Sequence, residues 1–180
     1  MSLNIRPGQS TDLSRLMGMD HTCVSEYVWQ VDLRREPGQI STTLREVRLP
    51  RPITVPYPRN PYALADEWHR KAAILVAVDP DPVGYALIAE QSQATVAWIT
   101  DLVVAREKRR TGVGFALLAS AESWAVARGC RMMIFEVQAK NQPAIRLAQK
   151  FGLEYCGYND HYYANRDVAL FFGRSLQNDT

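Results

Sequence analysis

The chain has 180 residues, 47% hydrophobic and 22% charged, the balance of an ordinary globular core rather than of a disordered or fibrous chain. Lysine and arginine outnumber aspartate and glutamate by only 21 to 19, so no global field suits a nucleic-acid partner. Three cysteines, Cys23, Cys130 and Cys156, form no Cys-x-x-Cys pair, which argues against a disulfide framework or a bound metal. No run reaches the ~18 apolar residues needed to span a bilayer, and the first residues lack a signal-peptide core. The expectation is one domain over residues 1–180, cytoplasmic, with no membrane partner; a homodimer stays open.

In chain order, residues 3–6 read as a short strand, after which Ser10 or Thr11 caps a helix with Leu13, Leu16 and Met17 at helical spacing. Residues 23–61 are looser. Tyr27 and Trp29 come early, Arg45-Glu46-Val47-Arg48-Leu49 alternates like a strand, and Pro50, Pro52, Pro56, Pro58 and Pro61 punctuate the rest. This predicts a long helix or loop followed by an extended, proline-bounded segment. A short helix is expected over residues 63–69, then strands over 73–78, 83–90 and 95–105, separated by turns at Asp79-Pro80-Asp81-Pro82 and Gln91-Ser92-Gln93. Val113, Leu117, Ala121 and Trp124 share one helical face, and Gly129 is placed to stop that helix. A strand over 131–137 follows, then a helix from Asn141 with Pro143 in its first turn and Gly152 at its end, then a strand pair over 153–158 and 167–176. The fold class is α/β: a mixed sheet packed by helices.

The stretch Arg109-Arg110-Thr111-Gly112-Val113-Gly114 lies between a predicted strand and a predicted helix. Two glycines let a backbone approach a ligand, and the first amides of a helix are unpaired donors at the positive end of its dipole. With Arg106, Lys108, Arg109 and Arg110 clustered there, the loop suits a phosphate-bearing ligand. A P-loop is excluded because no Lys-Ser or Lys-Thr follows the glycines. A dinucleotide fingerprint is excluded because Leu117 stands where a third glycine belongs. For a lone Gly-x-Gly, a solvated loop with an ordinary helix start is an equal reading.

A second pattern follows downstream. Arg109, Gly112 and Gly114 fill a [Q/R]-x-x-G-x-[G/A] loop, and Asn141, Ala144, Leu147, Lys150 and Gly152 fit N-x-x-A-x-x-L-Y-x-K-x-G-F. In this order the two resemble the GNAT acetyltransferase superfamily, over roughly the C-terminal half. The resemblance implies a mostly antiparallel twisted sheet, splayed at the cofactor site and flanked by helices, with acetyl-CoA as acetyl donor. It implies that the backbone of Leu102, Val103 and Val104 binds the pantetheine arm. Amides of Arg110, Thr111, Gly112, Val113, Gly114 and Phe115 would hold the pyrophosphate, with charge from Arg109 and a contact from Asn141. One departure stands out: Ala148 occupies the position of the superfamily's thiolate-protonating tyrosine.

An alkyl ammonium with a pKa of ~10.4 must lose a proton before it attacks a thioester, so a general base is needed. Asp101 is the first choice, with Glu136 and Glu90 as alternatives; a purely structural Asp101 is an equal reading. A thiol of pKa about 8.5 leaves readily, so the loss of tyrosine at Ala148 need not abolish catalysis. Within the cluster Tyr155, Tyr158, Tyr162 and Tyr163, the preferred acids are Tyr162 and Tyr163. His21, His69 and His161 have no metal-ligand spacing and read as surface or packing residues. No cysteine adjoins a histidine in sequence, which favours direct transfer over an acyl-cysteine route.

The closing segment Tyr162-Tyr163-Ala164-Asn165-Arg166-Asp167-Val168-Ala169-Leu170-Phe171-Phe172 is similar to the end of streptothricin-type antibiotic acetyltransferases within the superfamily. That implies a small-molecule primary amine as acceptor: a streptothricin-like antibiotic, a polyamine or an amino sugar. Glu26, Tyr27, Trp29, Asp32 and Glu46 could wall such a cation, although Tyr27 and Trp29 read equally as packing residues. The alternatives are acetylation of a protein N-terminus or lysine, and a non-catalytic acyl-CoA-binding domain.

Overall fold

The computed structural model describes residues 3–91 and 95–177. Seven strands form one sheet: β1 (Asn4–Pro7), β4 (Ala73–Val78), β5 (Pro82–Gln91), β6 (Val96–Val104), β7 (Met132–Gln138), β9 (Ala169–Ser175) and β8 (Glu154–Asn159), in that spatial order. All neighbours are antiparallel except β6 and β7. The β4–β5–β6 meander stands as expected, and β9 inserts between β7 and β8. Residues 92 and 93 of the turn expected before β6 lie outside the described residues.

Helices α3 (Val113–Ala127) and α4 (Gln142–Phe151) cover one face. Their buried residues Leu117, Leu118, Ala121, Ile145 and Ala148 join Ile88, Ile99, Met133 and Phe135 of the sheet in the larger core. On the other face, α1 (Leu13–Met17) and α2 (Ala63–Glu67) supply Leu16 and Leu64 to a smaller core with Val76, Tyr85 and Val103. Strand alternation makes this possible: Leu75 and Ala77 enter the first core, Ile74 and Val76 the second. Gly129 (φ +72°) and Gly152 (φ +87°) end α3 and α4 in the left-handed region, as placed from sequence. The expected cap before α1 differs. Ser10 and Thr11 lie in a 3-10 turn (Ser10–Asp12) that runs into α1, and α1 has no side-chain cap; Asp12 instead closes the start of that turn, accepting from the Gln9 amide at 2.8 Å while its two oxygens take a bidentate pair from Arg6.

The largest departure from the sequence reading is residues 23–61. Instead of a helix or loop, its first part is strand β2 (Cys23–Glu36), which forms a separate two-stranded ribbon with β3 (Gln39–Val55); the strand-like alternation over residues 45–49 and the extended segment after it do lie within β3, as expected. Pro37 and Gly38 make its turn, with Gly38 at φ +76° supplying the conformation that other residues avoid. Pro50 and Pro52 do sit inside β3, which normally breaks a strand. The register explains their tolerance: Ser25 pairs Ile53 and Tyr27 pairs Arg48, so the prolines fall in a bulge where no ladder bond is asked of them. The ribbon's base is anchored by the Trp29 amide donating to the Ala139 carbonyl at 2.9 Å and by Glu46 pairing with Arg146 on α4.

Candidate active site

β6 and β7 pair in parallel from Val96↔Met132 to Ile99↔Phe135 and then stop. Beyond that point Thr100–Val104 and Glu136–Gln138 have no ladder partners across the gap between them, although each strand stays paired on its other side. On the other side of β6, Leu87 pairs Asp101 but Ile88 pairs Ile99, so Thr100 is the extra residue of a β-bulge. A cleft of about 890 Å³ runs along this gap, from the residue 109–114 loop to the segment that follows β3. Its size is that of a small-molecule site rather than of a packing defect.

At one end lies the glycine loop. Arg110 (φ +65°) and Gly112 (φ +97°) both adopt the left-handed region just before α3, whose first amides have no intrahelical partner, a local geometry suited to an anion. A Cβ on Gly114 would stand 3.0 Å from Leu147 Cδ2, so α3 lies close to α4 and even a methyl group there asks the Leu147 side chain to give by a few tenths of an ångström. Arg106, Arg109, Arg110 and Lys150 line this end. The guanidinium of Arg109 is already engaged: Nε donates to the Val104 carbonyl at 2.9 Å and Nη2 to the Asp20 carbonyl. It thus ties the end of β6 to the loop before β2 while keeping its charge on the wall. Asn141 lines the cleft too, but its Oδ1 caps α4 by accepting from the Ala144 amide at 3.1 Å. Leu102, Val103, Val104 and Phe115 complete this part; Thr111 and Val113 are not on the wall, and the Thr111 hydroxyl donates to the Lys108 carbonyl at 2.7 Å.

The other end is acidic. Asp101 is buried on β6; its Oδ1 accepts from the Tyr57 hydroxyl at 2.5 Å and from Arg59 Nη1 at 3.1 Å. Its Oδ2 is buried and has no partner among the described residues. Burial pushes this carboxyl above the usual carboxylate range, and Arg59 and Tyr57 pull it partly back. On β7, buried Glu136 accepts from Arg59 Nη2, and its Oε2 accepts from Trp98 Nε1 and the Tyr162 hydroxyl, each at 3.0 Å. Burial opposes the charge on Arg59, but Asp101 and Glu136 outweigh it and hold the guanidinium firmly protonated.

Of the two expected acids, Tyr163 is buried on the cleft wall with Arg59 over its ring at 5.1 Å, whereas Tyr162 is exposed and spends its hydroxyl on Glu136. Burial raises both phenols above their ordinary range, so both remain protonated donors. Ala148 is fully buried in the core and does not line the cleft. Glu90 lies away from the site, paired with Arg128. Glu26 and Tyr27 line the cleft, but Trp29 packs on the core, Asp32 pairs with Arg45 on the ribbon, and Glu46 is held by Arg146.

Four participants were not singled out from sequence: Tyr57, Arg59, Tyr85 and His21. His21 was read as a surface or packing residue, yet it lines the cleft. Its Nδ1 must donate to the Met19 carbonyl (2.7 Å), so in the neutral ring Nε2 accepts from the Tyr85 hydroxyl (2.9 Å). Burial lowers its pKa and favours that neutral form. Among the described residues no group of His, Cys, Asp and Glu is arranged to hold a metal, and no helix is long and apolar enough to cross a membrane.

Residues 42–153 match the Acetyltransferase (GNAT) family. The chain belongs to this family. It is an acetyl-CoA-dependent N-acetyltransferase, and the splayed strands, glycine loop and basic end of the cleft fit that donor. The acetyltransferase is 26% identical to the streptothricin acetyltransferase of Streptomyces lavendulae over 164 residues, 88% of this chain and 83% of that protein. Its fold superposes on a nourseothricin acetyltransferase with a TM-score of 0.82 at 24% identity, covering 98% of this chain and 100% of that one. A Bacillus anthracis protein described among the streptothricin acetyltransferases, solved with acetyl coenzyme A, gives a TM-score of 0.74 at 21% identity over 97% and 100% of the two chains.

Proposed function

We propose that this acetyltransferase acts on a primary amine of a small molecule, of the streptothricin, polyamine or amino-sugar kind, by direct transfer. The observation that carries the reading is the unpartnered Asp101 Oδ2 at the acidic end of a cleft whose other end is basic. A buried acceptor without a partner is costly, and an ammonium or a water held by one satisfies it. Asp101 then takes the proton from the acceptor's ammonium. Its raised pKa brings it closer to neutrality and improves it as a base.

Bound acetyl-CoA supplies an acetyl group already activated as a thioester. The loop of residues 109–114 holds its pyrophosphate, with Val113 and Thr111 contributing backbone only, and the backbone groups of Leu102–Val104 that face away from β5 hold its arm. Asn141 Nδ2, unused among the described residues, is a further donor. Tyr163 is assigned the proton delivered to the departing thiol, since it is buried on the cleft wall whereas Tyr162 is exposed and off it. The relationship to the Streptomyces lavendulae enzyme supports the small-molecule class.

The test is release of CoA thiol from acetyl-CoA across streptothricins, polyamines, amino sugars, amino acids and peptides. Turnover confined to one small-molecule class supports the proposal. Turnover of peptides alone replaces the acceptor with a protein, and acetyl-CoA binding without any turnover replaces the enzyme reading with a binding domain.

A further inference from the structure

We propose that Arg59 is a positioning residue for the transfer: its guanidinium braces the two splayed strands across the gap and holds Asp101 ready to take a proton through Oδ2. The inference rests on the reading of Asp101 as the base.

The β6–β7 ladder ends at Ile99 and Phe135, and the next carboxylates on the two strands are Asp101 and Glu136. Arg59 joins them where the backbone no longer does. Nη1 reaches both the Thr100 carbonyl and Asp101 Oδ1 at 3.1 Å, and Nη2 reaches Glu136. The Thr100 bulge sets the strand path at this contact. A planar fork can satisfy two strands at once; the point charge of a lysine cannot. The fork and Tyr57 occupy Oδ1 alone, which leaves Oδ2 for the acceptor.

The groups facing Asp101 are Tyr57, Lys71, His21, Tyr85, Glu136, Tyr162 and Tyr163 around Arg59. Tyr57, Tyr85, Tyr162 and Tyr163 are uncharged, and His21 is favoured in its neutral form. Lys71 is shared with Glu67 at 3.4 Å and the Thr100 hydroxyl at 3.5 Å. Arg59 is therefore the principal cation acting on the base, and Glu136 competes for it. Two substitutions of opposite sign follow. Removing the cation in Arg59→Met disfavours the carboxylate, so the acid limb of the kcat profile moves to higher pH. Neutralising the competitor in Glu136→Gln leaves the cation to Asp101, so the limb moves to lower pH.

The experiment measures kcat and KM by CoA thiol release from about pH 5 to pH 9, with the best amine from the acceptor panel, for wild type, Arg59→Met, Arg59→Lys, Glu136→Gln and Asp101→Asn. Arg59→Met is expected to raise the acid limb by about one pH unit or more. Its kcat at the plateau should fall about 10- to 100-fold with a smaller change in acceptor KM, through misplacement of the base. Arg59→Lys should restore the limb but only part of kcat, and added guanidinium ion should restore Arg59→Met more than it affects wild type. If Arg59→Met fails to fold, Glu136→Gln still decides by the direction of its limb. An unmoved limb in both variants, with Asp101→Asn inactive, overturns the proposal and leaves Asp101 as base. Full activity and an intact limb in Asp101→Asn overturn the base assignment, and this proposal with it.

Discussion

Asp101 carries opposite demands. Its Oδ1 is bonded twice, while Oδ2 is buried without a partner among the described residues, a state that favours a proton in the folded protein. Burial raises its folded pKa above the unfolded value. A group shifted in that direction contributes stability that is present below the unfolded pKa and is lost as pH rises through the folded pKa. Asparagine imitates the protonated form and does not titrate. The melting temperature of wild type minus that of Asp101→Asn is therefore expected to shrink as pH rises from the ordinary carboxylate range through neutrality; a difference that grows with pH contradicts the shift. Activity should fall by about 10²- to 10⁴-fold in the same variant, the usual worth of a positioned base. Asp101 and Tyr163 could be singled out from sequence because they adjoin recognisable strands and motifs. Tyr57 and Arg59 could not. They sit between Pro56 and Pro61, where no periodicity marks a face, and they reach Asp101 and Glu136 only through contacts 42 to 77 residues apart along the chain.

At the scale of elements, the two glycines of the loop act for different physical reasons. Gly112 faces open space but has φ +97°, so alanine there costs about 1–2 kcal/mol of backbone strain without blocking anything. Gly114 has ordinary backbone but little room: a Cβ meets Leu147 Cδ2 at 3.0 Å, and a branched side chain would reach further into α4. Acetyl-CoA affinity, measured by titration calorimetry, is expected to survive Gly112→Asn, since asparagine tolerates this conformation. It should weaken about tenfold or more in Gly114→Val, where α3 must move from α4 and carry the loop with it; equal affinities in both variants would contradict this division. These glycines were legible because the loop is local in sequence. The ribbon was not, although Pro37-Gly38 marks its turn, because Pro50 and Pro52 argue against a strand unless the bulge opposite Glu26 is known. Its outer part carries exposed Leu33 and Ile40 and stands clear of the cleft. Removing residues 33–36 and 39–42 keeps the Pro-Gly turn and the alternation of faces. The shortened protein should bind acetyl-CoA as wild type does, with its melting temperature within about 4 °C, the shift of roughly one kcal/mol. A loss of binding would show that the outer ribbon supports the site.

Across the whole molecule, the main sheet consists of two parts, β1-β4-β5-β6 and β7-β9-β8, joined by a short parallel ladder. Past that ladder the parts are held by the Arg59 brace at the acidic end and by α3 against α4 at the basic end. The gap proposed to admit the donor is thus also the seam of the sheet, and a ligand bonded to both walls would add to the seam's stability. A ligand at a hundred times its Kd that binds only the folded protein contributes about 2.7 kcal/mol. For a chain of this size that corresponds to a rise in melting temperature of ~5–11 °C. Hydrogen exchange locates the effect: with acetyl-CoA, those amides of residues 100–104 and 136–138 that face the gap should slow most, because they have no ladder partner across it, whereas those of β4 and β5 should change little. Protection spread evenly over the sheet would mean that the donor stabilises the fold globally without bridging the seam. Protection confined to residues 109–115 would mean that the loop holds the phosphates while the strand walls contribute nothing to the arm.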